Sequence, residues 1–235
     1  MSVVRFLTDK ANLKAFPHPA PSIKCLPKYF SKLQPKLNAN PASSTVKRCV
    51  PFLDAISQCY MIPLWCYMFV VAKNGDINIE FPPHLNMETS VSPHTYEQIS
   101  DHPLSNLPYG RIPLKLHNPW IIKTDKNVSC LFTSPLNHME SRLKILDGVV
   151  DTDNYYNHIN FPFLWTGGDG EFYLKKGTPI VHVIPFVRTE FTAEIGVVDP
   201  DEHEADKSII GSVLQDAYRQ NFWHKGEQIG KRDEM

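Results

Sequence analysis

Apolar and polar residues alternate over short stretches through the second half of the chain, the pattern of strands with one buried face. The richest stretch spans residues 144–188. It predicts a strand, an acidic and aromatic turn, a second strand, a glycine hairpin at residues 167–170, a third strand and a glycine-bounded fourth. Further strands are predicted at residues 64–72, 77–81, 119–124, 128–133 and 189–198. The pattern therefore predicts a mainly β fold of short antiparallel strands.

Two stretches carry helical spacing instead. Residues 49–60 place apolar side chains on one face and Pro51 in the first turn, which favours a short helix. After Pro200, a group of acidic residues is typical of a helix N-terminus. The stripe that follows predicts an amphipathic helix that ends near Gly226, and its members are Ile210, Val213, Leu214, Ala217, Tyr218, Phe222 and Trp223.

The first 48 residues are rich in Pro, Lys and Ser and hold no lasting period, which predicts an extended arm. Such an arm is ordered only where its own body or a neighbour holds it, which favours an assembly. We therefore expect an N-terminal arm at 1–48, a β-rich domain at 49–198, and a helix with a tail at 199–235. Residues 82–118, with their many Pro and His residues, are expected to be loops.

Composition limits the classes of function. A formal net charge of −1 gives no strong signal for nucleic acid, although a local basic patch is compatible with it. Five cysteines without a C-x-x-C pair disfavour a disulfide framework or a zinc site. The N-terminus lacks the pattern of a signal peptide, and no run is long and apolar enough for a membrane span. We expect a protein that is not secreted by a signal peptide and has no membrane partner.

The strongest candidate chemistry lies in the acidic turn. Asp147, Asp151 and Asp153 crowd this turn, and Tyr155, Tyr156 and His158 follow at once. Clustered carboxylates can hold a divalent cation or act as a general base, and a tyrosine can stack on a sugar or a base. Alternatively, the aspartates shape a tight turn by accepting backbone hydrogen bonds.

Other candidate chemistry is weaker. The ten histidines show no H-x-H, H-x-D or H-E-x-x-H spacing, so no metal site is predicted. His182 lies in an apolar strand, where a packed or interface role is expected. Ser134 has no G-x-S-x-G context, and no helix follows Gly167–Gly170 to make a phosphate cradle. The alternating aromatics Phe161, Phe163 and Trp165 belong to one sheet face, as core or as a subunit contact.

Two motifs carry a resemblance. The sequence G-V-V-D-T-D at residues 148–153, with Tyr155, resembles the third conserved motif of dUTPases and dCTP deaminases. The sequence K-K-G-T-P-I-V-H-V-I at residues 175–184 is similar to a later strand of that family, and residues 119–136 to its preceding hairpin. The resemblance implies the β-clip fold, commonly a trimer. It also implies that Asp151 lies near the sugar and the activated water, and that Tyr155 stacks on the sugar.

The chain also departs from that family. Thr133-Ser134 stands where the family has Arg-Ser, one residue is inserted before the tyrosine, and Thr178-Pro179 replaces Asp-Arg. The Gly-rich phosphate lid at the C-terminus is replaced by a helix. The whole chain, in addition, resembles a family of bacteriophage and marine bacterial proteins. That resemblance implies a viral source, with a place in the virion or the host cytoplasm, and names no activity.

Three hypotheses follow. The first is a non-catalytic, self-associating β-clip protein, part of a virus particle, without a cofactor. Its partners are copies of itself, with a trimer favoured, or other virion proteins. The second is a magnesium-dependent hydrolase or deaminase of pyrimidine deoxynucleotides. Its candidate catalytic residues are Asp151 and Asp153, and its candidate ligand-binding residues are Tyr155, Tyr156, Ser134 and His158. The third is a cupin-like metal oxygenase, which needs two histidines and a carboxylate at one open site.

One feature discriminates the first hypothesis from the second. A nucleotide enzyme needs an arginine or a lysine that reaches the same pocket as Asp151 and Tyr155. The cations near these residues in sequence are Lys123, Lys126, Arg142 and Lys144.

Overall fold

The computed structural model describes residues 2–8, 14, 16–37, 44–82, 90–99, 113–138, 142–212 and 217–223. Strands account for 36% and helices for 22% of the structure, and the strand pairs are antiparallel. The predicted mainly β fold is confirmed at this level.

The fourteen strands of the described chain are short. They are β1 (Val4–Leu7), β2 (Ala20–Pro21), β3 (Tyr60–Pro63), β4 (Met68–Lys73), β5 (Asp76–Glu80), β6 (Val91–Pro93), β7 (Leu114–Leu116), β8 (Ile121–Thr124), β9 (Val128–Thr133), β10 (Leu143–Ile145), β11 (Gly148–Val150), β12 (Phe161–Trp165), β13 (Gly170–Leu174) and β14 (Pro179–Val187). The α-helices are α1 (Lys28–Lys32), α2 (Val50–Ser57), α3 (Pro200–Ser212) and α4 (Ala217–Asn221), and 3₁₀ turns cover Ser22–Cys25, Val46–Arg48 and Tyr96–Ile99.

The strands form four small sheets. The largest has the order β11-β9-β14-β3-β2, and a four-stranded sheet has the order β10-β12-β7-β6. Strands β13, β4 and β5 form a third sheet, and β1 pairs with β8. Between them lies an apolar core in which the aromatic stripe Phe161, Phe163 and Trp165 is at most 1% exposed. The stripe is therefore core, one of its two expected roles.

The glycine turn at residues 167–170 differs from the prediction of a hairpin. Strand β12 already pairs with β10 and β7 on its two sides, so β13 pairs with β4 instead. The turn therefore links two sheets. Trp165 fixes its start, because the indole Nε1 donates to the Gly168 carbonyl at 3.1 Å.

Of the strand predicted at residues 64–72, only residues 68–72 form a strand, as part of β4. Residues 64–67 are a break between β3 and β4, which belong to different sheets. The break is held by Leu64, whose N–H donates to the Thr178 carbonyl at 2.7 Å and whose carbonyl accepts from Gly177 at 2.8 Å. The strand predicted at residues 128–133 is confirmed with the same bounds as β9. Those at 77–81 and 119–124 are confirmed within two residues, as β5 and β8.

The described parts of the N-terminal arm lie on their own chain. Strand β1 pairs with β8, and β2 pairs with β3. Arg5 adds an ion pair of 2.9 Å with Asp125, and the Val3 N–H donates to the same carboxylate at 2.8 Å. These described parts of the N-terminal arm are held by their own chain, so they give no argument for an assembly.

The chain after β14 departs from the predicted final strand. Residues 189–199 carry no strand assignment and pair with no strand of the described chain. Helix α3 then begins at Pro200, as the acidic residues predict, but it ends at Ser212, before the short helix α4. Every residue from 189 to 211 is exposed. Val213, Leu214 and Gly226 of the predicted amphipathic helix lie outside the described residues, as do most of the predicted loops at 82–118.

Among the described residues, no helix is both long and apolar enough to cross a membrane.

Candidate functional site

The acidic turn meets the end of β14 on the central strand β9. Val150 of β11 is opposite Cys130, so the next residue, Asp151, lies beside Ser129. On the other side of β9, Val187 of β14 is opposite Val128, so Arg188 lies beside Asn127. Sheet register alone therefore brings together two segments that are distant in sequence. We call Asn127, Ser129, Asp151, Asp153 and Arg188 the Arg188 cluster.

The closest contact of the cluster joins Arg188 to Asp153. Arg188 Nη1 donates to Asp153 Oδ1 at 2.9 Å, and Nη2 donates to Oδ2 at 2.5 Å. The Asn127 N–H also donates to Oδ2, at 2.8 Å. The Asp153 side chain is only 6% exposed, so these donors replace the water that a carboxylate needs.

The same contacts set the charge of the cluster. The hydrogen bonds from Arg188 are the main cause that lowers the pKa of Asp153 to about 2, against a smaller opposing effect of desolvation. Asp153 in turn raises the pKa of Arg188. Asp153 is therefore ionised throughout the neutral range and has no proton to give as a general acid.

Asp151 is held more loosely. Its carboxylate is 58% exposed and lies 3.1 Å from Arg188 Nη1. Ser129 Oγ donates to Asp151 Oδ1 at 2.6 Å and accepts from Arg188 Nη1 at 2.9 Å. Ser129 thus connects the two charges. Asp151 keeps an open face toward solvent, whereas Asp153 does not.

The backbone of Arg188 is fixed as well. Its N–H donates to the Asn127 carbonyl at 3.0 Å, and Asn127 Nδ2 donates to the Arg188 carbonyl at 3.0 Å. Arg188 is the last half-buried residue before the exposed segment 189–211. The cluster therefore fixes the point at which this segment leaves the body.

The turn that carries the aspartates has its own support. The N–H groups of Asn154 and Tyr155 donate to the Asp151 carbonyl at 3.0 and 2.9 Å. Thr152 is fully buried below them, and its hydroxyl lies 2.8 Å from that of Thr124. The turn-shaping interpretation is thus compatible with the geometry, although the side chain of Asp153 binds a neighbouring turn rather than its own.

Two tyrosines and a lysine line the outside of the turn. Tyr155 is 45% and Tyr156 66% exposed. Lys123 Nζ donates to the Asp153 carbonyl and lies 5.9 Å from the centre of the Tyr156 ring. This edge presents aromatic faces to solvent beside a cation, which is the arrangement that stacks on planar groups.

Two of the predicted site residues lie elsewhere. Ser134 follows the opposite end of β9, where its hydroxyl accepts from the Ile145 N–H at 3.0 Å. His158 pairs with Ile121 at the start of β8, and its Nδ1 lies 3.0 Å from the Asn118 carbonyl. The structure therefore joins Asp151, Asp153, Tyr155 and Tyr156 on one turn, and leaves Ser134 and His158 outside it.

The sequence did not point to Arg188. Of the four cations near the turn in sequence, Lys123 contacts it, and Lys126 is exposed in the neighbouring turn after β8. Arg142 lies over the Phe172 ring at 5.8 Å, and Lys144 on β10 is opposite Leu164 of β12. Arg188 follows an apolar strand with proline inside it, and only the register of β14 against β9 shows that it reaches the aspartates.

The described parts of the chain contain no group of three or more His, Cys, Asp or Glu side chains positioned to hold a metal ion. Such a group is what a cupin-like oxygenase needs, so this hypothesis finds no support there.

Comparison with family models, with curated proteins and with solved structures finds no match for this chain.

Proposed function

We propose that this chain is a non-catalytic, self-associating protein of β-clip type, and that it is part of a virus particle. One observation carries the proposal: the exposed segment 189–211. Phe191 is 89% exposed, Ile195 103% and Val197 98%. These three residues occupy alternate positions of the sequence, with Ala193 between the first two, which is the sequence pattern of a strand with one face to bury.

The energetic argument is direct. Full burial of one such side chain contributes about 1.5–3 kcal/mol, so a contact that covers Phe191, Ile195 and Val197 adds several kcal/mol. Helix α3 has no buried residue between 200 and 211, and a helix of this length is only marginally stable in water on its own. Both elements gain stability when another molecule covers them.

The Arg188 cluster suits this role. If segment 189–211 docks on a neighbouring molecule, it fixes the position of that molecule only when the point at which the segment leaves its own domain is rigid. Side-chain and backbone hydrogen bonds at Arg188 provide that rigidity. The motif that resembles a nucleotide site would then act as a structural anchor.

The test is the mass of the protein in solution. Light scattering after size exclusion should give a multiple of 26.8 kDa for the full chain. The triple variant Phe191→Ser, Ile195→Ser, Val197→Ser should elute as a monomer with an unchanged circular dichroism spectrum. Thr192→Ser, which changes an exposed polar residue of the same segment, is the control and should leave the mass unchanged. A monomeric wild-type protein at micromolar concentration contradicts the proposal.

A place in a virus particle needs its own test. If the source is a virus, mass spectrometry of purified particles should recover peptides of this chain in fixed ratio to the major shell protein. Peptides found only in the lysate of infected cells would refute the assignment to the particle.

A second candidate function is a pyrimidine deoxynucleotide hydrolase or deaminase. The observation that favours it is the presence of two cations at the acidic turn, Arg188 and Lys123, next to the open carboxylate of Asp151. Its test is the release of pyrophosphate and ammonia from dUTP and dCTP with magnesium. Turnover should disappear in Asp151→Asn and persist in Asp147→Asn, which removes an exposed carboxylate at the other end of β11. Folded protein without turnover excludes this candidate.

A further inference from the structure

Charge is distributed unevenly along this chain, although its total is close to zero. Residues 189–212 contain one lysine and seven acidic residues, a formal net charge of −6. We call this segment the acidic arm; its acidic residues are Glu190, Glu194, Asp199, Asp201, Glu202, Glu204 and Asp206. Residues 1–48 contain nine basic residues and one aspartate, a formal net charge of +8. The two ends of the chain are therefore complementary in charge.

The positive charge has a regular arrangement. Lys24, Lys28, Lys32 and Lys36 follow each other at intervals of four residues, and all four are exposed. Lys28 and Lys32 are the first and last residues of α1, so they lie on the same face of that helix. None of the four forms an ion pair with another described residue. We call these four residues the lysine row.

Lys47, in contrast, is used by its own fold. Its Nζ donates to the Ser31 carbonyl at 2.8 Å and lies 5.8 Å from the centre of the Phe30 ring. Within the part of the chain that the structure describes, no side-chain contact of this kind is made by the lysine row. Its charge is available to a partner.

Exposed apolar residues adjoin the lysine row. Leu37, which follows Lys36, is 48% exposed. Val46 is 41% exposed and comes two residues after Ser44, which pairs with Lys36. A partner that carries both acidic and apolar side chains fits this surface, and the acidic arm carries both.

Among the described residues, no ion pair joins the acidic arm to the lysine row of its own chain, and residues 189–211 are exposed throughout. The chain is attached to its own domain on both sides of the acidic arm. Before the acidic arm, Arg188 binds Asp153; after it, Trp223 Nε1 donates to Asp54 Oδ2 of α2 at 2.9 Å. Ala217 of α4 is also buried. The arm is thus presented outward between two attachment points.

From these observations we infer that the acidic arm of one copy docks on the lysine row of a second copy. The inference rests on the proposed self-association and names the surfaces that perform it. Phe191, Ile195 and Val197 supply the apolar contact, and the acidic residues set the register against the lysines. Because the acidic and basic surfaces differ, the contact is heterologous unless two copies exchange arms reciprocally.

The experiment reverses charge on either side of the contact. The row variant carries Lys24→Glu, Lys28→Glu and Lys32→Glu, and the arm variant carries Glu190→Lys, Glu194→Lys and Asp206→Lys. The matched control carries Lys73→Glu, Lys126→Glu and Lys175→Glu, three exposed lysines away from the row. The row variant and the control have the same net charge. A difference in assembly between them is therefore caused by the positions of the substituted lysines and not by the total charge.

Masses are measured by light scattering over a concentration series, with circular dichroism as the check on folding. The row variant and the arm variant should each dissociate at a concentration about tenfold or more above that of the wild type, because three opposed charge pairs become repulsive. The control should assemble like the wild type. An equal mixture of the row variant and the arm variant should restore assembly, because the new glutamates of the one then face the new lysines of the other.

Salt provides an independent measurement. Raising the ionic strength from roughly 0.05 to 0.5 M should weaken wild-type assembly, because exposed ion pairs are screened at that concentration.

The outcomes separate this inference from the proposed function. If the row variant assembles like the wild type, or if row variant and control dissociate alike, the docking site is wrong while self-association stands. If the wild-type protein is a monomer, both fail.

Discussion

Asp153 and Arg188 are 35 residues apart in sequence and are joined by two hydrogen bonds, of 2.9 and 2.5 Å. The pair connects the turn after β11 to the last residue before the exposed segment 189–211. Arg188→Gln removes the bidentate contact and leaves the buried Asp153 carboxylate without its main donor. We expect a lower thermal unfolding midpoint and faster amide exchange at residues 127–129 and 186–188.

The control for that variant is Arg5→Gln. Arg5 also pairs with an aspartate at 2.9 Å, but both side chains are well exposed, at 48% and 39%. Exposed pairs contribute little, so this variant should change the midpoint much less. Ser129→Ala, which removes the hydroxyl between the two charges, should cost about 1 kcal/mol. Equal effects of Arg188→Gln and Arg5→Gln would remove the argument for a rigid anchor.

The pKa of Asp153 gives a second prediction, in acid. Its folded value is about 2, below the ordinary value of 3.8, so the folded state binds protons less readily than the unfolded state. The stabilisation is complete above about pH 4 and is lost as the pH falls toward 2. The difference in unfolding midpoint between the wild type and Asp153→Asn should therefore be constant from pH 7 to 5 and shrink below pH 4. A difference that persists unchanged at pH 2.5 would mean that the pair is not the cause.

His182 gives a third prediction, closer to neutral pH. It is 1% exposed on β14, and burial lowers its pKa below 6.5, partly opposed by the hydrogen bond to the Gln58 carbonyl. Burial and the neighbouring His182 lower the pKa of His138 as well. The unfolded state thus takes up more protons than the folded state below pH 6.5. Stability should fall as the pH drops from 6.5 to 5, and His182→Gln should make that slope shallower in urea titrations. An unchanged slope would assign the pH dependence to other groups.

The sequence predicts where the strands of this fold lie better than it predicts which strands pair with each other. The short, mostly apolar run after the turn at residues 125–127 marks β9 with its bounds, because this pattern is local. In the sheet every residue of β9 except Leu131 is buried. The sequence does not show that β12 and β13 belong to different sheets, since the two strands have similar patterns. They are in different sheets because β12 already pairs with β10 on one side and with β7 on the other. Residues 189–198 alternate like a strand, but no strand of the described chain pairs with them.

The site shows the same limit. The acidic turn is visible in sequence because Asp151, Asp153 and two tyrosines are consecutive or nearly so. Arg188 is not visible, because it reaches the turn through the register of two strand pairs on β9. A long-range pairing of this kind depends on which strands become neighbours, and single-residue patterns do not contain that information.

Gly167 gives a fourth prediction, about packing. A Cβ at this position would lie 2.3 Å from Cζ2 of the buried Trp165 ring, so alanine forces the indole or the turn to move. We expect Gly167→Ala to destabilise the fold by about 1–3 kcal/mol in urea denaturation, with an altered Trp fluorescence spectrum. Gly148→Ala is the control, because nothing lies within 4 Å of a Cβ there. If both variants are as stable as the wild type, Trp165 does not pack on the turn as described.

Cysteine reactivity gives the last prediction, and it probes the core without a mutation. Burial raises the pKa of the Cys66 thiol to about 12 from an ordinary 9.0, and burial also raises that of Cys130. At pH 8 the thiolate fraction of Cys66 is then about a thousandfold below that of an ordinary thiol, and access is blocked as well. Cys49 is exposed. Iodoacetamide should therefore modify Cys49 within minutes and leave Cys66 and Cys130 intact, as read by peptide mass spectrometry. In urea all three should react alike. Rapid labelling of Cys66 in the native protein would show that the link between β3 and β4 opens far more readily than a well-packed core permits.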